Sequence, residues 1–395
     1  METVPKTEIQ QRIRRFQAEL TKMGLQGAFI LQNADIFYFT GTIQSSALFV
    51  PSQGEPILMV QKNLQRARQE SSLNEIVPIT SRNQIPRVLG DFRFGPLTRA
   101  GLEMDVLPAN LYLGFKKAIP RCRWVDVSDS IRKLRMIKSG YEIKQIQKAT
   151  AILHIGFDEI KKMIQPGMTE LEIDGYLAMI ARREGHMGTM RMRAWNQEMT
   201  YAHVLSGNSG SVVSMLKSPH GGSGNTPAMA QGAGFRKIKK NEPIGIDFGA
   251  AVNGYIGDMF RTYVIGNLPD PLKKAYGCAQ EILALLSENI RPGISCAQLY
   301  EAALEKAANE GLREFFMGHG EGQVKFIGHG IGLEIDDYPI ISPHFKGVLE
   351  KGMVLALEPK FVFPKRGVVG LEDDYLVTSN GSKRLTQTDQ SLIQI

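Results

Sequence analysis

Apolar residues recur at helical spacing at the start of the chain. Ile9, Ile13, Phe16 and Leu20 form one stripe within residues 6–23, which predicts an amphipathic helix. Short apolar runs follow at 27–31, 36–40, 47–50 and 56–60, with turn residues such as Gln53-Gly54 between them. Helical spacing returns at 66–70, and strand-like and helix-like pieces alternate up to Val125. This alternation predicts a small α/β domain. It carries no catalytic cluster of its own.

The texture changes near 127–140. Residues 130–138 are basic, and Ser139-Gly140-Tyr141-Glu142 is a capping box that opens a new helix. Two domains are therefore expected, 1–135 and 136–395. The second contains a repeat. A helix, Pro166-Gly167, then a second helix ending at Glu184-Gly185 is followed 126 residues later by a helix, Pro292-Gly293, and a second helix ending at Glu310-Gly311. Thr169 with Glu172 and Ser295 with Gln298 form capping boxes at matching places. Each copy leads into strands, so two α/β halves should share one site between them.

One stretch of the second domain fixes its own register. Asn253-Gly254 stands between two apolar-rich runs, 243–252 and 255–262, the pattern of a two-residue hairpin turn. Val252 then faces Tyr255 and Gly249 faces Asp258. Asp247 shares that face, because strand side chains alternate. Asp247 and Asp258 become diagonal neighbours about 7–8 Å apart at the backbone. Two buried carboxylates need compensation, either a shared proton or divalent cations. The pair alone leaves both open.

Composition narrows the setting. The 395 residues are 43% apolar and 22% charged, an ordinary globular balance that calls for no long disordered region. No apolar leader and no run long enough to cross a bilayer is visible. The three cysteines, Cys122, Cys278 and Cys296, are scattered, which suits a reduced, cytoplasmic compartment. The net charge is +7, densest at Arg236-Lys237-Ile238-Lys239-Lys240, with Arg12, Arg14 and Arg15 on the first helix. No nucleic-acid motif accompanies it, so a solvated surface is expected rather than a nucleic-acid or membrane partner.

Three further candidates follow the hairpin. His329 is flanked by Gly328 and Gly330, which let a ligand approach an imidazole closely. Glu358 ends the apolar run 353–357, and a buried acid needs a partner. Glu372 sits inside the run 368–377. If these last two strands pair, Glu358 and Glu372 share a face only with an odd-length turn or a bulge near 364–367. Asp247, Asp258, His329, Glu358 and Glu372 together offer four carboxylates and an imidazole. Such a set suits a pair of manganese, iron, cobalt or zinc ions, with manganese favoured by the oxygen-rich shell, and such a pair would activate water.

These five residues, in this order, with two Asp eleven positions apart, resemble the M24 metallopeptidase family. That family includes Xaa-Pro aminopeptidases, prolidases, methionine aminopeptidases and creatinase. The resemblance spans essentially the whole chain. It implies an α/β (α+β) architecture: a creatinase-type N-terminal α/β domain at 1–135 and a pseudo-two-fold pita-bread catalytic domain at 136–395. It implies that Asp247 serves one metal, that His329 and Glu358 serve the other, and that Asp258 and Glu372 bridge them. It makes Glu358 the proton shuttle. Pro219-His220-Gly221 matches the family's upstream histidine, so His220 is expected beside the scissile amide. His203, at the repeat offset from His329, reads as structural, and His319 reads as no part of a metal site. A homodimer is implied by resemblance alone.

Three positions depart from the family pattern. Asp336 stands where a second histidine is usual, in Ile335-Asp336-Asp337-Tyr338-Pro339; Gly370 replaces an arginine two residues before the last Glu; and Phe260 replaces a threonine after the second Asp. The lost histidine and arginine are cations used around substrate, so Asp336 is expected at the substrate. The sequence thus predicts a dinuclear-metal hydrolase cleaving a peptide bond, of Xaa-Pro aminopeptidase or dipeptidase type, acting on a small peptide. A non-peptidase C–N hydrolase of the same fold, acting on a small amidine or cyclic amide, is the rival. An inactive binding module is the second alternative.

Overall fold

The computed structural model describes residues 2–395, which divide into two compact units, the first ending at Arg135 and the second starting at Met136. In the first unit the amphipathic helix spans Lys6–Lys22 and buries Ile9, Ile13, Phe16 and Leu20. A six-stranded sheet runs in the order Glu75–Pro78, Ile57–Val60, Ser46–Pro51, Gly27–Ile30, Arg99–Leu102, Arg123–Asp126. Its centre is antiparallel and its flanks are parallel. Phe29 anchors its core, with ring centroids 4.8 Å from Phe49 and 4.9 Å from Phe115. The run at 36–40 is not a strand. It lies in a helix, Asn33–Thr40, which the Gln32 side chain caps by accepting from the Asp35 amide and which Gly41 ends at φ 76°. An apolar run this short does not distinguish a buried helix from a strand.

The second unit shows the repeat. Its first half packs the helices Gly140–Ile160 and Glu170–Arg183 on the strands Ala202–Ser206, Pro243–Val252 and Tyr255–Val264. Its second half packs Asp270–Asn289 and Cys296–Asn309 on a sheet containing Gly328–Gly330, Val354–Leu357 and Asp373–Val377. All three expected capping boxes are formed, at Ser139 with Glu142, Thr169 with Glu172 and Ser295 with Gln298. Burial of Phe157, Ile246 and Phe248 in one half, and of Ile282, Leu299 and Leu355 in the other, gives each sheet its own helical cover. Among the described residues no helix is long and apolar enough to cross a membrane.

The hairpin has the register its turn dictates. Val252 pairs with Tyr255 and Gly249 with Asp258. Asn253 and Gly254 take φ of 49° and 89°, the left-handed values that a tight hairpin turn requires. The later strands also carry the expected irregularity. Leu357 pairs with Asp373 and Lys360 with Gly370, so Glu358 and Glu372 stand opposite each other. Three residues, Pro364-Lys365-Arg366, connect Phe363 to its partner Gly367.

One buried cation ties the two halves together where the site forms. The Arg261 guanidinium donates to the carbonyls of Phe260 (2.9 Å) and Glu372 (2.8 Å), to the Asp373 carboxylate (2.7 Å) and to the carbonyls of Thr388 and Asp389. The Glu372 amide returns a bond of 3.1 Å to the Phe260 carbonyl. Arg261 and Asp373 are both fully buried, so removing one partner strands the other's charge. Asp373→Ala should cost about 3–5 kcal/mol of stability, read from the urea midpoint of the full chain. A loss under about 1 kcal/mol, the size of a surface pair, would contradict this role.

Candidate metal centre

The hairpin supplies the first acids. Asp247 and Asp258 share one face with Phe260, which lies directly opposite Asp247. Asp258 is buried, its amide donates to Asp374 Oδ2 (3.0 Å), and its own Oδ1 accepts from the Met259 amide (3.0 Å). His329 sits mid-strand between two neighbours that approach closely. A Cβ at residue 328 would stand 2.3 Å from the Ala356 carbonyl oxygen, and one at residue 330 would stand 2.0 Å from that of Tyr338. The glycines around His329 are therefore required by strand packing. Its Nδ1 lies 3.1 Å from the Gly330 carbonyl oxygen. That contact places the proton on Nδ1 and leaves the Nε2 lone pair for a ligand. Nε2 lies 3.8 Å from Glu358 Oε1 and 3.9 Å from Glu372 Oε1.

Asp258, His329 and Glu372 each place one donor atom within 4.8 Å of the other two. Oxygen and imidazole donors suit manganese, iron, cobalt or zinc. Electrostatics agrees. Burial pushes the Asp258 and Glu372 carboxyls well above the usual range, and neighbouring carboxylates, chiefly Asp247 on Asp258 and Asp258 on Glu372, push further. A divalent cation among them offsets that repulsion and returns both to the anionic form. The residues fit one such ion.

A second ion meets an obstacle that the sequence reading did not foresee. The Lys360 Nζ lies among the carboxylates, 3.0 Å from Asp247 Oδ2, 2.8 Å from Glu358 Oε2 and 2.7 Å from Glu372 Oε2. Burial works to lower the lysine pKa, but the three carboxylates together hold it well above its usual value. Burial alone would raise Asp247 too; the Lys360 ammonium and His220 hold it well below the ordinary carboxylate range. The position that a second ion would take between Asp247, Glu358 and Glu372 is filled by an ammonium. The expectation of two ions on five ligands thus fits at one position and not at the other. The signal was present in the chain: Lys360 follows Glu358 by two positions in a strand region, so it shares that residue's face.

The remaining candidates divide. His220 is fully buried and its Nε2 lies 3.2 Å from Asp247 Oδ2. Burial lowers its pKa below the ordinary histidine value, so the ring is neutral near pH 7. Ser218 Oγ stands 3.3 Å from Nδ1, and the Phe260 ring packs against the imidazole at 5.4 Å between centroids. His203 pairs in register with Asp247 and meets Gln231 at 3.3 Å; burial brings its pKa down to about 4. His319 faces the Ser211 carbonyl oxygen at 3.0 Å. Asp336 accepts from the amides of Arg193 (2.8 Å) and Ala194 (3.1 Å). Its carboxylate therefore anchors a loop, a use that a histidine, with one acceptor nitrogen, could not reproduce.

Comparisons with known proteins show the family. The model of metallopeptidase family M24 matches residues 144–379, and that of the Creatinase/Prolidase N-terminal domain matches residues 12–137. The chain is 26% identical to an Xaa-Pro dipeptidase of Pyrococcus furiosus over 387 residues, 98% of this chain and 100% of the relative. It is 28% identical to an uncharacterized peptidase of Bacillus subtilis over 94% of this chain and 96% of that one. Among solved structures, the prolidase from Pyrococcus horikoshii OT3 superposes with a TM-score of 0.82 at 26% identity, covering 97% of this chain and 100% of that chain. The Xaa-Pro dipeptidase from Bacillus anthracis gives 0.85 at 25% identity, covering 98% and 100%. With its family model spanning most of the second unit and the creatinase-type domain before it, the chain belongs to metallopeptidase family M24.

Proposed function

We propose that the protein hydrolyses the amide bond of short peptides, as an Xaa-Pro dipeptidase or aminopeptidase, with manganese as its metal. The observation that carries this reading is the meeting of Asp258, His329 and Glu372 beside Glu358 and His220. When bound there, a divalent ion supplies the Lewis acidity that makes water a nucleophile near neutral pH. Asp258 and Glu372 would hold the ion by charge, and His329 would hold it through the Nε2 that its Nδ1 contact leaves free. Glu358, opposite Glu372 and 3.8 Å from His329 Nε2, is the group placed to take the proton from water and pass it to the leaving nitrogen. His220, whose Nε2 lies 3.2 Å from Asp247 Oδ2, would turn that N–H from Asp247 to the carbonyl oxygen as negative charge develops. Asp336 acts on substrate through the 193–194 segment that it anchors. The relatives support peptides as substrate, because two of them are named Xaa-Pro dipeptidases. A homodimer and a reducing, cytoplasmic setting complete the proposal; the three cysteines are all free and buried.

Manganese-loaded protein should cleave Xaa-Pro dipeptides or longer Xaa-Pro peptides, followed by release of a free amino group. Inactivity across that panel, with turnover of a small cyclic amide, would instead support C–N hydrolysis of a non-peptide. His220→Ala should lower kcat by about 10²–10³-fold, the size of one lost oxyanion donor, with metal content unchanged. A fall confined to KM would remove His220 from the transition state. Asp336→Ala should raise KM about tenfold or more, the equivalent of one lost charge-assisted hydrogen bond, and leave metal content intact. An unchanged KM would show that the loop it anchors plays no part in binding.

A further inference from the structure

Two of the three departures from the family pattern surround the same atom. Gly370 lies directly opposite Lys360 across the paired strands. A Cβ at residue 370 would stand 2.4 Å from the Pro359 carbonyl oxygen, 2.8 Å from the Lys360 Cα and 3.0 Å from its Cγ. Any side chain there, the usual arginine included, would displace the backbone at Pro359-Lys360 and with it the lysine stem. Phe260 turns its ring toward the ammonium, with Nζ 4.8 Å from the ring centroid, a cation–π contact. That ring in turn needs room. A Cβ at residue 245 would come within 2.7 Å of it, and the chain has Gly245. The glycine at 370 and the aromatic at 260 are thus the floor and wall of a seat for Lys360. The seated side chain is 1% exposed, and three carboxylates from three strand segments take its hydrogens.

We propose that Lys360 is a built-in cation of this centre: its ammonium takes the place of one of two ions between Asp247, Glu358 and Glu372, and the centre binds a single divalent ion at Asp258, His329 and Glu372. This deepens the metal-dependent reading and rests on it. Asp247 then becomes the partner of Lys360 and His220 rather than a metal ligand. Four carboxylates face one ammonium and one divalent ion, so the centre stays slightly anionic. An ammonium donates hydrogen bonds but has no open coordination position. It can orient acids and favour developing negative charge, but Lewis acidity falls to the other cation alone.

The test uses the full chain, loaded with Mn²⁺ and dialysed, with metal counted by elemental analysis and its environment read by electron paramagnetic resonance. Wild type should retain one ion per chain and give the hyperfine pattern of an isolated Mn²⁺. Lys360→Ala, which frees the oxygens of Asp247 and Glu358, should move toward two ions per chain, with the broadening of an exchange-coupled pair. Lys360→Met, which keeps the stem and removes the charge, serves as the second variant if the alanine protein does not fold. Two coupled ions in wild type would overturn the proposal, as would no retained manganese. A folded Lys360 variant that still binds only one ion would overturn it too. Peptide hydrolysis is scored separately. Two ions with peptidase activity would defeat the built-in cation and leave the function standing; one ion with no activity on any peptide would do the reverse.

Discussion

Negative charge closed off from water is the constraint on which the catalytic unit depends. Asp258, Glu358 and Glu372 are buried within reach of one another, and half-buried Asp247 joins them. In a medium of low polarity such a group either takes up protons or gathers cations. Here one cation is part of the chain. The Lys360 ammonium holds Asp247, Glu358 and Glu372 by direct contact, while Asp258 and the far side of Glu372 turn toward His329. The acids thus fall into a group that the protein neutralises itself and a group that calls for a metal.

The scaffold brings these groups together by repeating one device. Each half folds two helices over a small sheet, and the acids project from the inner strands of both. Arg261 closes the joint between them, because its guanidinium accepts no proton partner but reaches the backbone of Phe260, Glu372, Thr388 and Asp389 at once. Acids on one sheet are therefore held in fixed register with acids on the other. Preorganisation of this kind is what electrostatic catalysis needs, since dipoles and charges set in place cost nothing to align during reaction.

Much of this was legible in the chain, for reasons that are local. Asn253-Gly254 dictates a two-residue turn, and a fixed turn dictates which residues oppose. The alternation of the last strands required an odd connection, found as Pro364-Lys365-Arg366. Capping boxes marked helix starts because their hydrogen bonds close within four residues. What escaped was set by distant parts of the chain. Lys360 reads as one more lysine of a basic protein until strands from both halves are seen to converge on it. The hold of Asp336 on the amides of Arg193 and Ala194 was out of sight too, because they lie more than a hundred residues earlier. The helix at Asn33–Thr40 was hidden because five apolar residues show no period.

The most direct test is a crystal structure of the manganese-loaded protein with anomalous scattering data collected at the manganese edge. One anomalous peak per chain is expected, bounded by Asp258, His329 and Glu372, with Lys360 Nζ still in contact with Asp247 and Glu358. Two peaks, with Lys360 swung away from the carboxylates, would contradict the account.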